Sequence, residues 1–397
     1  MTLARNGNGY DISSQNYFRQ LNKEIGEAID PVRHQSVSAA RAKLKWEGFE
    51  YLLGEANIER DGLSKAFKFK GHTTRGVDGT SFYTPRTEDL LEHFSVRNTK
   101  SKEGSTHYPY GLCVTAINVF TGQPTCAVVD DYRRSERHLL KAMMKKFEKN
   151  DLSLLDRGLG GQDVYLEFHL SEQCFIHRGK TSGERVAIYI QDFLSSGKKQ
   201  QVIKIIVTHK ETGDKIPMEL RLILGPTDSE GKPIVFITNL LDRKKYKRQE
   251  IIELYQKRWA VETLYDRVKN LLCLEKFHAK SYNGVMQEIF SNLLALSLAA
   301  LAATAVIKEH ELDTDEVLPN FKNATEVVRR NLFNIIDNKI YGSRPKAVVR
   351  QILLEVADVL YKVRPNRNFP RVSRQPIKKW NLMKSAKIAE FERSTVA

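Results

Sequence analysis

The chain has 397 residues, of which 41% are hydrophobic, and its 63 Lys and Arg against 48 Asp and Glu give a formal net charge of +15. Length and apolar fraction mark a globular protein of two or three domains, or one domain with a large insertion. The basic excess points to an anionic polymer as partner, and nucleic acid fits better than a membrane because no basic amphipathic segment with a lipid-type face stands out.

Residues 1–70 read as helical, with apolar residues at helical spacing over 14–28 and 34–56 and Pro31 between them. Arg33, Arg41, Lys43 and Lys45 mark the second segment. Two readings stand side by side: a small DNA-binding region, or a helical cap packed on the next domain. From Lys68 the period becomes that of strands. Residues 75–83 form one strand, and 110–120 and 124–131 form two more joined at Thr121-Gly122, a hairpin signal. Ser135 is placed to cap an amphipathic helix over 135–149. A short apolar run, 152–155, then leads into Asp156-Arg157-Gly158. Three antiparallel strands, a helix and a further strand, in that order, open a ribonuclease-H-like α/β fold, a mixed sheet flanked by helices.

Residues 164–169 read as a helix and 174–178 as a strand. Strand-type runs at 186–190, 201–208, 217–224 and 234–240, separated by Gly- and Asp-rich turns, make a β-rich insertion. Residues 251–272 then read as one helix. Leu254, Val261, Leu264, Val268, Leu271 and Leu272 share an apolar stripe, and Tyr255, Arg258, Glu262 and Lys269 form a polar line beside it. Helical patterns continue over 284–309, 323–336 and 345–363. The apolar run 289–307 is long enough to raise a membrane span, but its Ser, Asn, Thr and many Ala residues favour a buried packing helix. At its start Glu288 reads as a favourable charge at a helix N-terminus. A basic tail closes the chain, with Arg371, Arg374, Lys378 and Lys379 among its candidate phosphate contacts. The four cysteines, Cys113, Cys126, Cys174 and Cys273, form no CxxC or Cys/His cluster, so neither zinc nor a disulfide framework is expected. With no apolar leader at the N-terminus, a cytoplasmic, nucleoid-associated location fits.

Three acids stand where element ends can bring them together: Asp78 after Arg75-Gly-Val, Asp156 at the end of the 152–155 run, and Glu262 on the long helix. Each alone has a plain explanation, as a tight turn, an Asx turn or a surface acid. Together they suit two-metal phosphodiester chemistry, in which divalent ions ~4 Å apart activate the attacking oxygen and stabilise the leaving one. Mg2+ takes carboxylate oxygens and keeps several waters, so three carboxylates suffice for two ions, and Mn2+ can substitute. Asp78 would bridge, with Asp156 and Glu262 each completing one site. Tyr255, Arg258 and Lys269 would hold the DNA backbone beside them.

The spacing Tyr255-x2-Arg258-x3-Glu262-x6-Lys269 resembles the YREK signature of bacterial insertion-sequence transposases of family four, members of the DDE transposases. Asp78 in VDGTS and Asp156 in LLDRGL resemble that family's two aspartate motifs, and residues 366–380 look like its basic C-terminus. The resemblance extends over about residues 75–300 and implies a catalytic core interrupted by a β-strand insertion; with the element pattern this gives a core in two parts, 71–180 and 246–310, an insertion at 181–245, and helical regions at 1–70, which match no motif of the family, and 311–397. It also implies a homodimer in a synaptic complex with double-stranded DNA. The enzyme would bind terminal inverted repeats, nick each end to free a 3′-OH, form a hairpin and join target DNA. Phe236 is the candidate to receive a flipped base, against the plainer reading of a core strand residue. Arg157, Arg243, Lys244, Lys245, Lys247 and Arg248 are candidate phosphate contacts on the same DNA end. The competing readings are a related Mg-dependent nuclease and an inactive, DNA-binding transposase derivative.

Overall fold

The structure, a computed structural model, describes residues 10–26, 28–58, 67–96, 108–183, 186–228, 230–258, 277–341 and 345–363. Its elements are α1 (Tyr10–Ile25), α2 (His34–Lys43), α3 (Glu47–Ile58), β1 (Thr74–Tyr83), α4 (Glu88–His93), β2 (Tyr110–Asn118), β3 (Gln123–Asp131), α5 (Glu136–Met144), β4 (Leu152–Leu155), α6 (Gln162–Leu170) and β5 (Cys174–Gly179). After these come α7 (Ile188–Ser195), β6 (Gln200–Thr208), β7 (Lys215–Thr227), β8 (Pro233–Thr238), α8 (Arg248–Gln256), α9 (Tyr282–Glu309), β9 (Val317–Pro319), α10 (Phe321–Tyr341), α11 (Pro345–Ala357) and β10 (Leu360–Lys362).

One eight-stranded sheet organises the described residues, in the order β3-β2-β1-β4-β5-β8-β7-β6. β1, β2 and β3 are antiparallel neighbours, while β4 runs parallel to β1 and β5 parallel to β4. That order and those directions are the ribonuclease-H-like fold. The strands at 200–238 extend the same sheet: β8 pairs antiparallel with β5, and β7 and β6 lie outward of it.

Strand alternation divides the sheet's side chains between two faces. Val77 and Leu155 point to a face covered by α5, α6 and α7, where Leu139, Leu140, Met143, Tyr165 and Phe193 bury the core. On the other face, α8 covers Leu154, Ile176 and Phe236. Helix α9 packs there too, gathering α3, α10 and α11 over Phe82, Cys113 and Ile117. Ala295, Ala299 and Ala300 of α9 are fully buried, and these small side chains let the neighbouring elements approach closely. Among the described residues α9 alone is long and apolar enough to span a membrane, and 72% of its apolar window is buried inside the protein. It is a packing helix, and burying each large aliphatic side chain contributes roughly 1.5–3 kcal/mol.

Several elements differ from their sequence pattern. The helix expected over 34–56 is two helices, because Leu44 is extended and Asn283 satisfies the break, accepting from Trp46 N at 3.0 Å and donating to Leu44 O at 2.8 Å. The strand expected at 186–190 is the start of α7: Ile190 and Phe193, three apart, bury one helical face. The last helix stops at Ala357, and β10 pairs with β9. Residues 34–58 also lie against the rest of the protein as a cap. Arg41 donates from Nε to Gln287 Oε1 at 2.7 Å, from Nη2 to Gly284 O at 2.7 Å and from Nη1 to Glu288 Oε1 at 3.1 Å, all buried. Glu288 is therefore half of a buried ion pair rather than only a helix-end charge, and it also accepts from His278 N at 3.1 Å.

Candidate active site

Asp78 and Asp156 are brought side by side by strand register. Val77 pairs with Leu155 across parallel β1 and β4, so the next residue on each side is an aspartate, Asp78 within β1 and Asp156 just past the end of β4. Neighbouring strands lie ~4.8 Å apart, which sets the two backbones close at the same end of the sheet. Both side chains are half-buried. Asp78 accepts from the following amide, Gly79 N, at 2.9 Å.

Asp156 opens a turn held at several points. Leu159 N donates to Asp156 O at 3.0 Å, and Arg137 Nε from α5 donates to Gly158 O at 2.9 Å. From β5, His177 lies beneath Gly160 so closely that a Cβ there would come within 3.0 Å of three imidazole atoms. Tyr165 OH is hydrogen-bonded to His177 Nδ1 at 2.6 Å. Burial pushes the imidazole down to about 4, against a lesser raising effect from the Arg157 backbone. His177 is thus a neutral wedge at neutral pH. The Gly160-Gly161 pair was the sequence signal for this close approach, and neither Arg137 nor His177 was singled out by motif.

Helix α8 brings its last turn to the same strand end. Lys257 N and Arg258 N bond to Leu254 O and Tyr255 O, both at 3.0 Å, so the helix tightens to i→i+3 bonds where the sequence pattern runs on to residue 272. Glu262 and Lys269 lie outside the described residues. Tyr255 is 7% exposed, and its hydroxyl donates to Leu155 O at 3.0 Å. Phe236, 3% exposed, packs on it with ring centroids 4.7 Å apart. Phe236 thus sits in this structure as a core strand residue, the plainer of the two readings of its place in the sequence. Tyr255 and Arg258, the latter 6% exposed beside the Tyr255 ring, are likewise buried rather than displayed to a phosphate backbone.

Arg248, the first residue of α8, gives both its Nε and Nη2 to Leu224 O, which fastens the helix start to β7. Arg243, Lys244, Lys245 and Lys247 are exposed, as is Arg157 in the Asp156 turn. The 243–247 loop sits at the opposite end of β4 from Asp156. Tyr246 OH bonds His72 Nε2 at 2.7 Å, and His72 Nδ1 lies 2.6 Å from Asn150 O, just before β4 begins. Four strand residues put on the order of 13 Å between those ends. Arg371, Arg374, Lys378 and Lys379 lie outside the described residues.

Residues 70–298, more than half the chain, match the family described as the transposase DDE domain. The chain belongs to that family. Transposase InsG for insertion sequence element IS4 of Escherichia coli (strain K12) is 24% identical over 233 residues, a match that covers 57% of this chain and 51% of that protein. The chain thus spans about half the length of this curated relative. The cryo-EM structure of the piggyBac transposase synaptic complex with hairpin DNA superposes over 79% of this chain and 62% of that one, at 9% identity and a TM-score of 0.42.

Membership of the DDE family carries dependence on a divalent metal with it. Asp78 and Asp156, at neighbouring backbone positions, carry hard carboxylate oxygens, the donor type such ions take. Among the described residues no group of three His, Cys, Asp or Glu side chains is gathered closely enough to hold an ion. A further acid stands near them that no motif pointed to. Glu136, in the first turn of α5, lies against β1 where Gly79 has no side chain; a Cβ there would stand 2.9 Å from Glu136 Cγ. Burial raises the Glu136 carboxyl, and the charges of Asp78 and Asp156 raise it further. Alternation points Asp78 to the face opposite Gly79, so Glu136 approaches from the other side of the strand.

Proposed function

We propose that this protein is a DNA transposase that binds terminal inverted repeats and carries out metal-dependent strand cleavage and strand transfer. The observation that carries this reading is the register that sets Asp78 of β1 beside Asp156, the residue just after parallel β4, within the stretch matched by the DDE domain. Asp78, Asp156 and Glu262 are the proposed ligands of two Mg2+ ions, which Mn2+ can replace. When bound, the ions supply charge stabilisation to the attacking and leaving oxygens of a phosphodiester. The chain's own part is to hold the carboxylates rigid: β1 and β4 fix two of them in register, and the pinned turn after β4 prevents Asp156 from swinging away.

In the proposed reaction water first cleaves the bond to the 3′ oxygen at each transposon end, leaving a 3′-OH. That hydroxyl attacks the phosphodiester of the opposite strand, closing a hairpin and releasing the flanking DNA with its own 3′-OH; a second water reopens the hairpin to restore the 3′-OH, which then joins target DNA by displacing a 3′ oxygen of the target strand. The two ends are held by a homodimer in a synaptic complex. Lys269, Arg157, the exposed loop residues Arg243, Lys244, Lys245 and Lys247, and the tail residues Arg371, Arg374, Lys378 and Lys379 are proposed to meet phosphates.

The test is Asp156→Asn and Glu262→Gln, assayed on DNA carrying the element's own ends with Mg2+. Both variants are expected to lose cleavage while still binding the DNA. Normal cutting by either would refute the assignment.

A further inference from the structure

Tyr255 occupies the position at which the signature suggests a hydroxyl for DNA, yet its side chain is spent inside the protein. The phenol donates to Leu155 O at 3.0 Å, and its ring is covered by Phe236. Leu155 is the last residue of β4, which is only four residues long, and its carbonyl belongs to the same peptide unit as the amide of Asp156. A peptide unit is planar, so fixing the Leu155 oxygen fixes the plane from which the Asp156 Cα departs. We infer that Tyr255 is a positioning residue for Asp156, holding the end of β4 so that the carboxylate is presented to the metal beside Asp78. This inference rests on the reading of Asp156 as a metal ligand.

The surroundings agree with such a role. Beyond Asp156 the turn is held by Arg137 at Gly158 and by His177 at Gly160, so the Leu155 carbonyl marks the other margin of one pinned segment. Turning the phenol out to a phosphate would forfeit its buried hydrogen bond and uncover Phe236, leaving the Leu155 carbonyl without this donor. Burial also pushes the phenol well above its ordinary range, so it remains a donor at every working pH. Tyr255 therefore ties α8, which leads towards Glu262, to the strand that carries Asp156.

The test compares the full-length wild type, Tyr255→Phe and Asp156→Asn. Mn2+ uptake is monitored by electron paramagnetic resonance of the free ion, and affinity for an arbitrary duplex DNA is measured without metal across a salt series. Removing a partner that orients a ligand typically weakens metal affinity about 10- to 100-fold. Tyr255→Phe is expected at the lower end of that range, with nicking of supercoiled plasmid restored by raising Mn2+ and with DNA affinity and salt slope unchanged. A purely structural role would lower the melting temperature and leave Mn2+ uptake by the folded protein as in wild type, which overturns the inference. Unchanged Mn2+ uptake with a salt slope smaller by about 0.9 would instead make Tyr255 a phosphate contact. If Asp156→Asn takes up Mn2+ as wild type does, the metal-ligand reading itself fails, whatever Tyr255→Phe does.

Discussion

Gly160→Ala puts the smallest possible side chain at the tightest point of the proposed site. The added Cβ would fall within 3.0 Å of three imidazole atoms of His177, whereas relaxed contacts lie at roughly 3.5–4.0 Å, so the turn or the ring must shift by about 1 Å. His177 yields poorly, being 4% exposed and bonded to Tyr165 OH. The displacement therefore falls on the turn, four residues from Asp156. Overpacking of this kind costs about 1–3 kcal/mol of stability, and a shift near 1 Å at a reacting centre can cost on the order of 100-fold in rate. Plasmid nicking in Mn2+ should drop by about that factor at a temperature where circular dichroism shows the variant folded. The double variant Gly160→Ala/His177→Ala, which makes room for the methyl, should recover part of the loss. Wild-type nicking by Gly160→Ala would refute the idea that this wedge positions Asp156.

His177 also predicts a pH dependence of stability. In the unfolded chain the imidazole has its ordinary value near 6.5, while in the fold burial holds it at about 4, so between those values the unfolded state takes up the proton. The contribution is complete above about pH 6.5 and is lost as pH falls from there towards 4, an effect on the order of 3 kcal/mol; urea midpoints of wild type and His177→Gln should converge over that window, and parallel curves would contradict it. Arg41→Met strands the Glu288 carboxylate in the interior and should destabilise by about 3–5 kcal/mol, so an unchanged urea midpoint would show that α2 is not locked to α9. Replacing Arg243, Lys244, Lys245 and Lys247 together by Ala should reduce the salt slope of DNA binding by about 0.9 for each phosphate the loop neutralises; an unaltered slope would mean the loop does not touch DNA.

Much of the central sheet was legible because its strands carry local signals. The Thr121-Gly122 turn joins β2 to β3, Ser135 accepts from His138 N as the cap of α5, and the short apolar β4 ends directly at Asp156. What stayed hidden depends on partners remote in the chain. Spacing places Tyr255 on a helix face, but nothing local says that the face meets the Leu155 carbonyl, 100 residues earlier, instead of DNA. The docking of α2 needs Arg41 to find Gln287 and Glu288 across more than 240 residues. Alternation in Ile188-Tyr-Ile190 imitates a strand, and only the burial of Phe193 three positions beyond Ile190 reveals the helix. Glu136 carries no local signal of its own; the absence of a side chain at Gly79 is what lets it lie against β1.

Anomalous scattering from Mn2+ in crystals of the protein bound to DNA would locate the metal itself. The ion is expected to be coordinated by carboxylate oxygens of both Asp78 and Asp156 at roughly 2.1 Å, with Glu262 completing the ligand set. Mn2+ bound elsewhere, with those carboxyl groups more than about 8 Å apart in the DNA complex, twice the separation two-metal chemistry uses, would contradict that expectation.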